Sequence, residues 1–339
     1  MNTLVLREPG QFAFESRPKP GQLPSEFARV RVRRIGVCGT DLHAFKGDQP
    51  FFDYPRVLGH ELGVELLEVN GDNAGLQHGD YCAVEPYLNC GICGPCKSGK
   101  TNCCEKLIVV GVHEDGGMTE EIVVPVNKLH RSQRLPLEHL ALVEMLSIGA
   151  HAVGRAQLNA RDKVLVVGAG PIGLSVIQFA RLAGVEPVVF EMDEQRRAFC
   201  EAFAGIDLCS APGDNPMERL REMMNGQLPD VVFDATGNSM SMHRSFELVG
   251  AGGKLVFVGL ILGDISFYNP EFHRKELSLL SSRNATAADF EYVIRMLETG
   301  KINLTPWITH RTPFGKTIEV FPSWLTKEEG VVKAMIDLD

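Results

Sequence analysis

Between the apolar segment Lys163 to Val167 and a second one running from Ile172 to Leu182 stands Gly168-Ala169-Gly170-Pro171-Ile172-Gly173. No other stretch so limits what this chain can fold into. A G-x-G-x-x-G run alone is a weak signal, but this one follows a strand-like run and opens a helix-like one, which is the context the motif requires. Gly168 permits a tight turn, Gly170 lets a pyrophosphate approach the backbone, and Gly173 lets helix and strand pack closely. The helix start, with Pro171 and Ile172, adds free N–H groups and a favourable dipole. Alternation continues beyond it. Glu186 to Phe190 reads as a strand, Asp193 caps a helix, and Val231 to Phe233 and Lys254 to Val258 read as buried strands. These two end at turns, Asp234-Ala235-Thr236-Gly237 and Gly259, and Leu277 to Ser281 reads as the last strand. Strands alternating with helices predict an α/β fold with a doubly wound parallel sheet.

The rest of the chain has another texture. Its 339 residues exceed what one core usually supports, so two domains are expected. Thr3 to Leu6, Ala28 to Arg33, Val57 to Val69, Tyr81 to Val84 and Thr119 to Val124 read as strands separated by Gly, Pro and Asn turns. From Leu137 the pattern turns helical around Glu144. We therefore expect domains at 1–145 and 146–285, with an irregular segment at 286–339 returning to the first.

Charge and composition exclude some functions. A formal net charge of −9 disfavours a nucleic-acid surface, and the one basic run, Arg29 to Arg34, alternates with Val30, Val32 and Ile35 as the wet face of a strand would. No apolar run is long enough to cross a bilayer and the N-terminus lacks a signal-peptide layout, so a cytoplasmic protein without a membrane partner is expected. Nine cysteines in such a chain favour metal binding over disulfides.

Cys90, Cys93, Cys96 and Cys104 form C-x2-C-x2-C-x7-C, with Gly91, Gly94 and Gly99 letting the backbone curl round one point. Four thiolates on a short loop make a closed tetrahedral zinc site, whereas the common iron–sulfur spacings are absent. Cys103 adjoins Cys104 and competes for the fourth place. Cys38 and His60 are too far apart to form a local motif, yet each keeps polar company: Thr40, Asp41 and His43 beside the thiol, Glu61 beside the imidazole.

Taken in order, Gly36-Val-Cys38-Gly-Thr40-Asp41-Leu-His43, Gly59-His60-Glu61, the four-Cys lobe at 90–104, Glu144-Met-Leu-Ser-Ile-Gly-Ala-His151 and the glycine turn resemble the zinc-dependent medium-chain alcohol and polyol dehydrogenases. The sorbitol, threonine and sugar-acid branch is the most similar. Tyr54-Pro-Arg-Val-Leu-Gly-His60 and Phe267 to Asn284 are similar to bacterial enzymes that oxidise aldonic acids such as L-galactonate. The resemblance implies a GroES-like β-barrel catalytic domain beside a Rossmann domain, with the active site in the cleft between them and a homo-dimer or homo-tetramer.

It further implies that Cys38, His60 and Glu144 hold a catalytic zinc, that Glu61 approaches or exchanges on it, and that Asp41 orients His60. Thr40 and His43 match the family's proton relay, and His113 and Arg283 match positions that meet the substrate. Two zinc ions per chain follow, one catalytic and one structural. Glu191, ending the next strand, suits the adenosine ribose and repels a 2′-phosphate, so NAD is expected over NADP; Arg196 tells the other way. Thr236, Val258 and Arg283 complete the expected cofactor contacts. One departure stands out: the family's glycine lies three residues beyond the glutamate, where this chain has Val64 and places Gly63 before it. The expected activity is NAD-dependent oxidation of a secondary alcohol of a polyol or sugar acid. Threonine or simple alcohol oxidation is the alternative, and a silent zinc- and nucleotide-binding scaffold is the rival from another class.

Overall fold

Alternating side chains build the first unit. In the computed structural model, which describes residues 1–339 apart from 51, 205–208, 214 and 327–328, β1 (Asn2–Glu8) and β2 (Gln11–Ser16) form a hairpin. β3 (Phe27–Val37) then buries Ala28, Val30, Val32 and Ile35 and leaves its arginines half-exposed. Those arginines pair with carboxylates, Arg33 with Glu65 at 2.7 Å and Arg34 with Asp337 at 3.0 Å, so the basic run is indeed a strand face. After α1 (Gly39–Lys46) come β4 (Glu61–Asn70), β5 (Tyr81–Val84), β6 (Tyr87–Leu88), α2 (Gly94–Lys97), β7 (Ile108–Val109), β8 (Glu121–Pro125), β9 (Leu129–Arg131) and α3 (Leu137–Ala141). The chain divides into two compact units, Met1–Met145 with Ala285–Asp339, and Leu146–Asn284, the boundary falling inside α4 (Val143–Ala156).

The second unit follows the rule that βαβ crossovers produce a parallel sheet covered by helices. Its elements are β10 (Val164–Val167), α5 (Pro171–Leu182), β11 (Val188–Phe190), α6 (Glu194–Ala204), β12 (Cys209–Ser210), α7 (Pro216–Met223), β13 (Val231–Asp234), α8 (Ser239–Leu248), β14 (Lys254–Phe257), α9 (Asn269–Arg274) and β15 (Ser278–Ser281). The strand order is β12-β11-β10-β13-β14-β15, all parallel, so the direction of winding reverses between β10 and β13. Leu165, Val188, Val232 and Leu255 lie in its core. In open α/β sheets, ligands sit at the carboxyl ends of strands at such a reversal.

The return segment departs from the irregular texture expected of it. It contains α10 (Ala287–Glu298), β16 (Ile308–Pro313), α11 (Thr317–Val320) and β17 (Lys333–Asp337). α10 begins with a capping box, in which Thr286 N–H donates to the Asp289 carboxylate at 2.8 Å, and buries Phe290, Val293, Ile294 and Leu297. That cap and the i, i+3, i+4, i+7 stripe stand in the sequence, but Pro306, Pro313 and Pro322 downstream give the segment an irregular texture that obscures them. β17 pairs antiparallel with β3, giving the first unit a seven-stranded sheet of order β16-β17-β3-β4-β5-β9, with β8 also on β3.

Candidate metal and cofactor sites

Strand pairing assembles the first site. β3 and β4 run antiparallel with Gly36 opposite Glu61, which brings the end of β3, where Cys38 caps α1, beside His60 and Glu61. One ligand atom from each of Cys38, His60 and Glu61 lies within 4.8 Å of the others. Gly36 makes room, since a Cβ there would stand 2.1 Å from Glu61 Oε2. Asp41 serves the backbone: its carboxylate accepts from Cys38 N–H at 2.9 Å and Gly59 N–H at 3.3 Å. His60 Nδ1 faces Asp41 Oδ1 at 3.8 Å, beyond hydrogen-bond reach, and has no partner among the described residues.

The site is largely buried and rich in ionisable groups. Asp41, His60, Glu61 and Glu144 are all at most 5% exposed. Both Glu61 oxygens accept from Lys333 Nζ, at 2.6 and 2.8 Å, and this lysine is 2% exposed. The Glu144 carboxylate accepts a hydrogen bond from the Tyr87 hydroxyl and does not belong to the converging set. Burial raises the Asp41, Glu144 and Tyr87 pKa values from their ordinary ones, against the lowering pull of His60 on the two carboxyls. Burial opposes charge on His60 and Lys333, but the surrounding acids, Asp41 with Cys38 and Glu61 with Cys38, outweigh it and raise both. A half-buried thiol converging with a buried imidazole and a buried carboxylate is a donor set that suits a transition-metal ion, so the residues fit a zinc ion.

Around this set, Thr40 Oγ1 lies 3.7 Å from Cys38 Sγ and is half-buried, while His43 is exposed with Nδ1 2.8 Å from Asp48 Oδ1. His113 is exposed, its Nδ1 accepting from Val109 N–H at 2.9 Å. The loop carrying it packs on Gly59: Cβ atoms at Gly111 and Gly116 would stand 2.8 and 2.4 Å from Gly59 O. Gly63 explains the displaced glycine, because a Cβ there would meet Leu137 O at 2.2 Å, and the β3–β4 register shifts between Val32 and Arg34 alongside it. Two residues escaped sequence reasoning. Lys333 interrupts the apolar run Val331-Val332-Lys333-Ala334-Met335-Ile336, which was a usable signal, whereas Tyr87 looked like any strand aromatic.

The second cluster is Cys90, Cys93, Cys96 and Cys104, whose sulfurs all lie within 4.8 Å of one another. Cys103 is exposed and outside the set, so the fourth converging sulfur is that of Cys104. Backbone N–H groups of Ile92 and Cys93 pull the Cys90 thiol down to about 6, those of Cys96 and Glu105 lower Cys93, and desolvation pushes Cys96 up to about 11. Four convergent thiols with backbone donors around them fit a closed structural zinc site.

In the second unit the glycine turn joins β10 to α5. Gly168 has φ +93°, Gly170 caps the helix and Pro171 takes its first position, where no N–H is needed; Ile172 follows, half-buried. A Cβ on Gly173 would stand 1.8 Å from Gly168 O. Gly173→Ala is therefore expected to cost about 1–3 kcal/mol through overpacking, read as a lower thermal midpoint with weakened NADH binding. Glu191 is 7% exposed and accepts from Ala169 N–H at 2.6 Å and Asp193 N–H at 2.9 Å, leaving lone pairs for further donors. Arg196 is exposed, and its Nη1 lies 3.5 Å from where a Gly170 Cβ would be. Thr236 and Val258 stand at the ends of β13 and β14, and Arg283 is exposed just beyond β15. Free N–H groups and close backbone approach fit a dinucleotide pyrophosphate.

The chain is similar to known proteins along nearly its whole length. Residues 25–134 match the alcohol dehydrogenase GroES-like domain and residues 171–299 the zinc-binding dehydrogenase domain. The chain is 40% identical over 336 residues to L-galactonate-5-dehydrogenase of Escherichia coli (strain K12), covering 99% of this chain and 98% of that one. It is 30% identical to 2-dehydro-3-deoxy-L-galactonate 5-dehydrogenase of Pseudoalteromonas atlantica, with 91% of each covered. The crystal structure of an alcohol dehydrogenase from E. coli CFT073 complexed with NADH superposes with a TM-score of 0.91 at 28% identity, covering 100% of this chain and 99% of that one. The α/β architecture expected of the chain, a Rossmann sheet with a GroES-like domain, is thus the observed one, and the chain belongs to the zinc-type medium-chain alcohol dehydrogenases.

Proposed function

We propose that this dehydrogenase uses NAD to oxidise a secondary alcohol of a sugar acid, of the aldonate class that includes L-galactonate. The observation that carries the reading is the convergence of Cys38, His60 and Glu61 in a chain so similar, end to end, to an L-galactonate-5-dehydrogenase. Cys38, His60 and Glu61 would hold the catalytic zinc, with Glu144 in reserve on Tyr87, and the four-Cys lobe a structural one. When bound, the zinc supplies Lewis-acid polarisation that acidifies a hydroxyl, and NAD supplies the hydride acceptor.

The chain's own residues do the rest. Asp41 holds the start of α1 through the Cys38 N–H and sets a carboxylate 3.8 Å from His60 Nδ1. Thr40 accepts the hydroxyl proton as it releases its own, and the exposed His43 is the group that exchanges a proton with water: with Nδ1 donating to the Asp48 carboxylate, Nε2 is left as the acceptor. Gly168, Gly170 and Gly173 seat the pyrophosphate, and Arg196 lies beside that seat. Glu191 accepts from the adenosine ribose and disfavours a 2′-phosphate, which selects NAD over NADP. Arg283 and His113 supply cationic and hydrogen-bonding groups suited to a carboxylated substrate.

Metal stripping and reconstitution test this. We expect about two zinc ions per chain, and NADH formation from an aldonate that vanishes on stripping and returns with zinc. Turnover unaffected by stripping would overturn the metal assignment, and one zinc with no turnover on any alcohol would favour the scaffold.

A further inference from the structure

Asp234 ends β13 and is fully buried, yet the reaction described above gives it no task. Its Oδ1 accepts from Thr236 N–H at 3.0 Å and the Thr236 hydroxyl at 2.6 Å; its Oδ2 accepts from the hydroxyls of Ser241 at 2.7 Å and Ser245 at 2.9 Å. One backbone N–H and three hydroxyls thus converge on a single carboxyl. No cation pairs with it among the described residues, and Ser245 is itself fully buried. Ser241 and Ser245 stand one turn apart on α8, which starts after the cap Asn238, so the carboxyl holds the flank of that helix.

This arrangement fixes more than one turn. The Asp234 carbonyl accepts from Val258 N–H at 2.9 Å and Gly259 N–H at 3.1 Å, which ties the end of β14 to the end of β13. A Cβ on Gly259 would stand 2.4 Å from Gly237 N, and one on Gly168 would stand 3.1 Å from Thr236 Cγ2. The turns after β10, β13 and β14 are therefore packed against one another with no slack. Thr236 Oγ1 donates to Asp234 and accepts from Asn238 N–H at 3.1 Å, so its hydroxyl has no proton left for a ligand.

We infer that Asp234 is a positioning residue for the dinucleotide: its buried carboxylate locks Thr236 and the start of α8, and through them the surface formed by three strand ends. A cofactor then meets Thr236 through its backbone and methyl group. The inference rests on the reading of these strand ends as the NAD site.

NADH titration of the zinc-loaded enzyme, followed by fluorescence, tests it. Asp234→Asn keeps the shape but sets an NH2 group against hydroxyl or N–H donors, and we expect NADH affinity to fall about tenfold or more. The NAD KM should rise in parallel while kcat at saturating NAD holds within about threefold. Leu255→Ala, in the same sheet and 1% exposed, is the stability control: it should lower the thermal midpoint with NADH affinity intact. If Asp234→Asn does not fold, Thr236→Val removes the one hydroxyl on Oδ1 at an exposed position and should weaken NADH about threefold to tenfold. NADH affinity within about twofold of the parent in whichever variant folds would overturn the inference, as would an equal loss in Leu255→Ala. An unmodified protein that binds no NADH would instead sink the cofactor reading on which it rests.

Discussion

Replacing Cys38 by serine should cut turnover by about 10^3-fold or more, since even removing a group that only orients a metal ligand costs roughly 10–100-fold. The loss is chemical. A thiol coordinates as the thiolate, whereas a serine hydroxyl stays protonated at neutral pH and is a poor zinc ligand. The fold should survive, because the link from Asp41 to residue 38 uses the backbone N–H, which serine keeps. NADH affinity should stay within about twofold, the glycine turn being in the other unit. Zinc per chain should drop from about two to about one, with the four-Cys lobe still loaded. Turnover above about a tenth of the parent's would refute the assignment of this thiol to the metal.

Lys333→Met should be the most destabilising single change in the metal-stripped protein. Among the described residues the lysine is the sole cation bonded to a fully buried Glu61, and methionine matches its shape without its charge. Removing one partner of a buried pair typically costs about 3–5 kcal/mol, because the remaining charge has neither water nor partner. Denaturant unfolding of the stripped protein would show this as an early midpoint. Adding Glu61→Gln should restore most of the loss, since a neutral amide is far easier to bury. If the double variant is no more stable than Lys333→Met, the penalty does not come from an uncompensated Glu61.

What the sequence revealed depended on whether a feature was local. Gly168 to Gly173 sits between its own strand and helix, and the four cysteines lie on one loop, so spacing alone conveyed both. The alternation of Val30, Val32 and Ile35 announced β3 and accounted for the arginines between them. Cys38 and His60 meet only through the pairing of β3 with β4, which no local pattern contains; a resemblance brought them together on paper. Lys333 was harder still, since it reaches Glu61 from 272 positions away along the chain. Glu144 was legible by motif, but its bond to Tyr87, 57 positions away along the chain, was not. Asp234 stood in plain view in a turn, and only its four donors distinguish it from an ordinary strand-end carboxylate.

The central claim is that the Cys38, His60 and Glu61 site oxidises a sugar-acid alcohol with NAD. The most direct measurement is NADH formation by the zinc-loaded enzyme across a panel of aldonates, uncharged polyols, threonine and simple alcohols, compared by kcat/KM. The account predicts that an aldonate such as L-galactonate leads the panel, with one NADH formed per alcohol oxidised. Turnover of threonine alone, or of no alcohol in the panel, would contradict it.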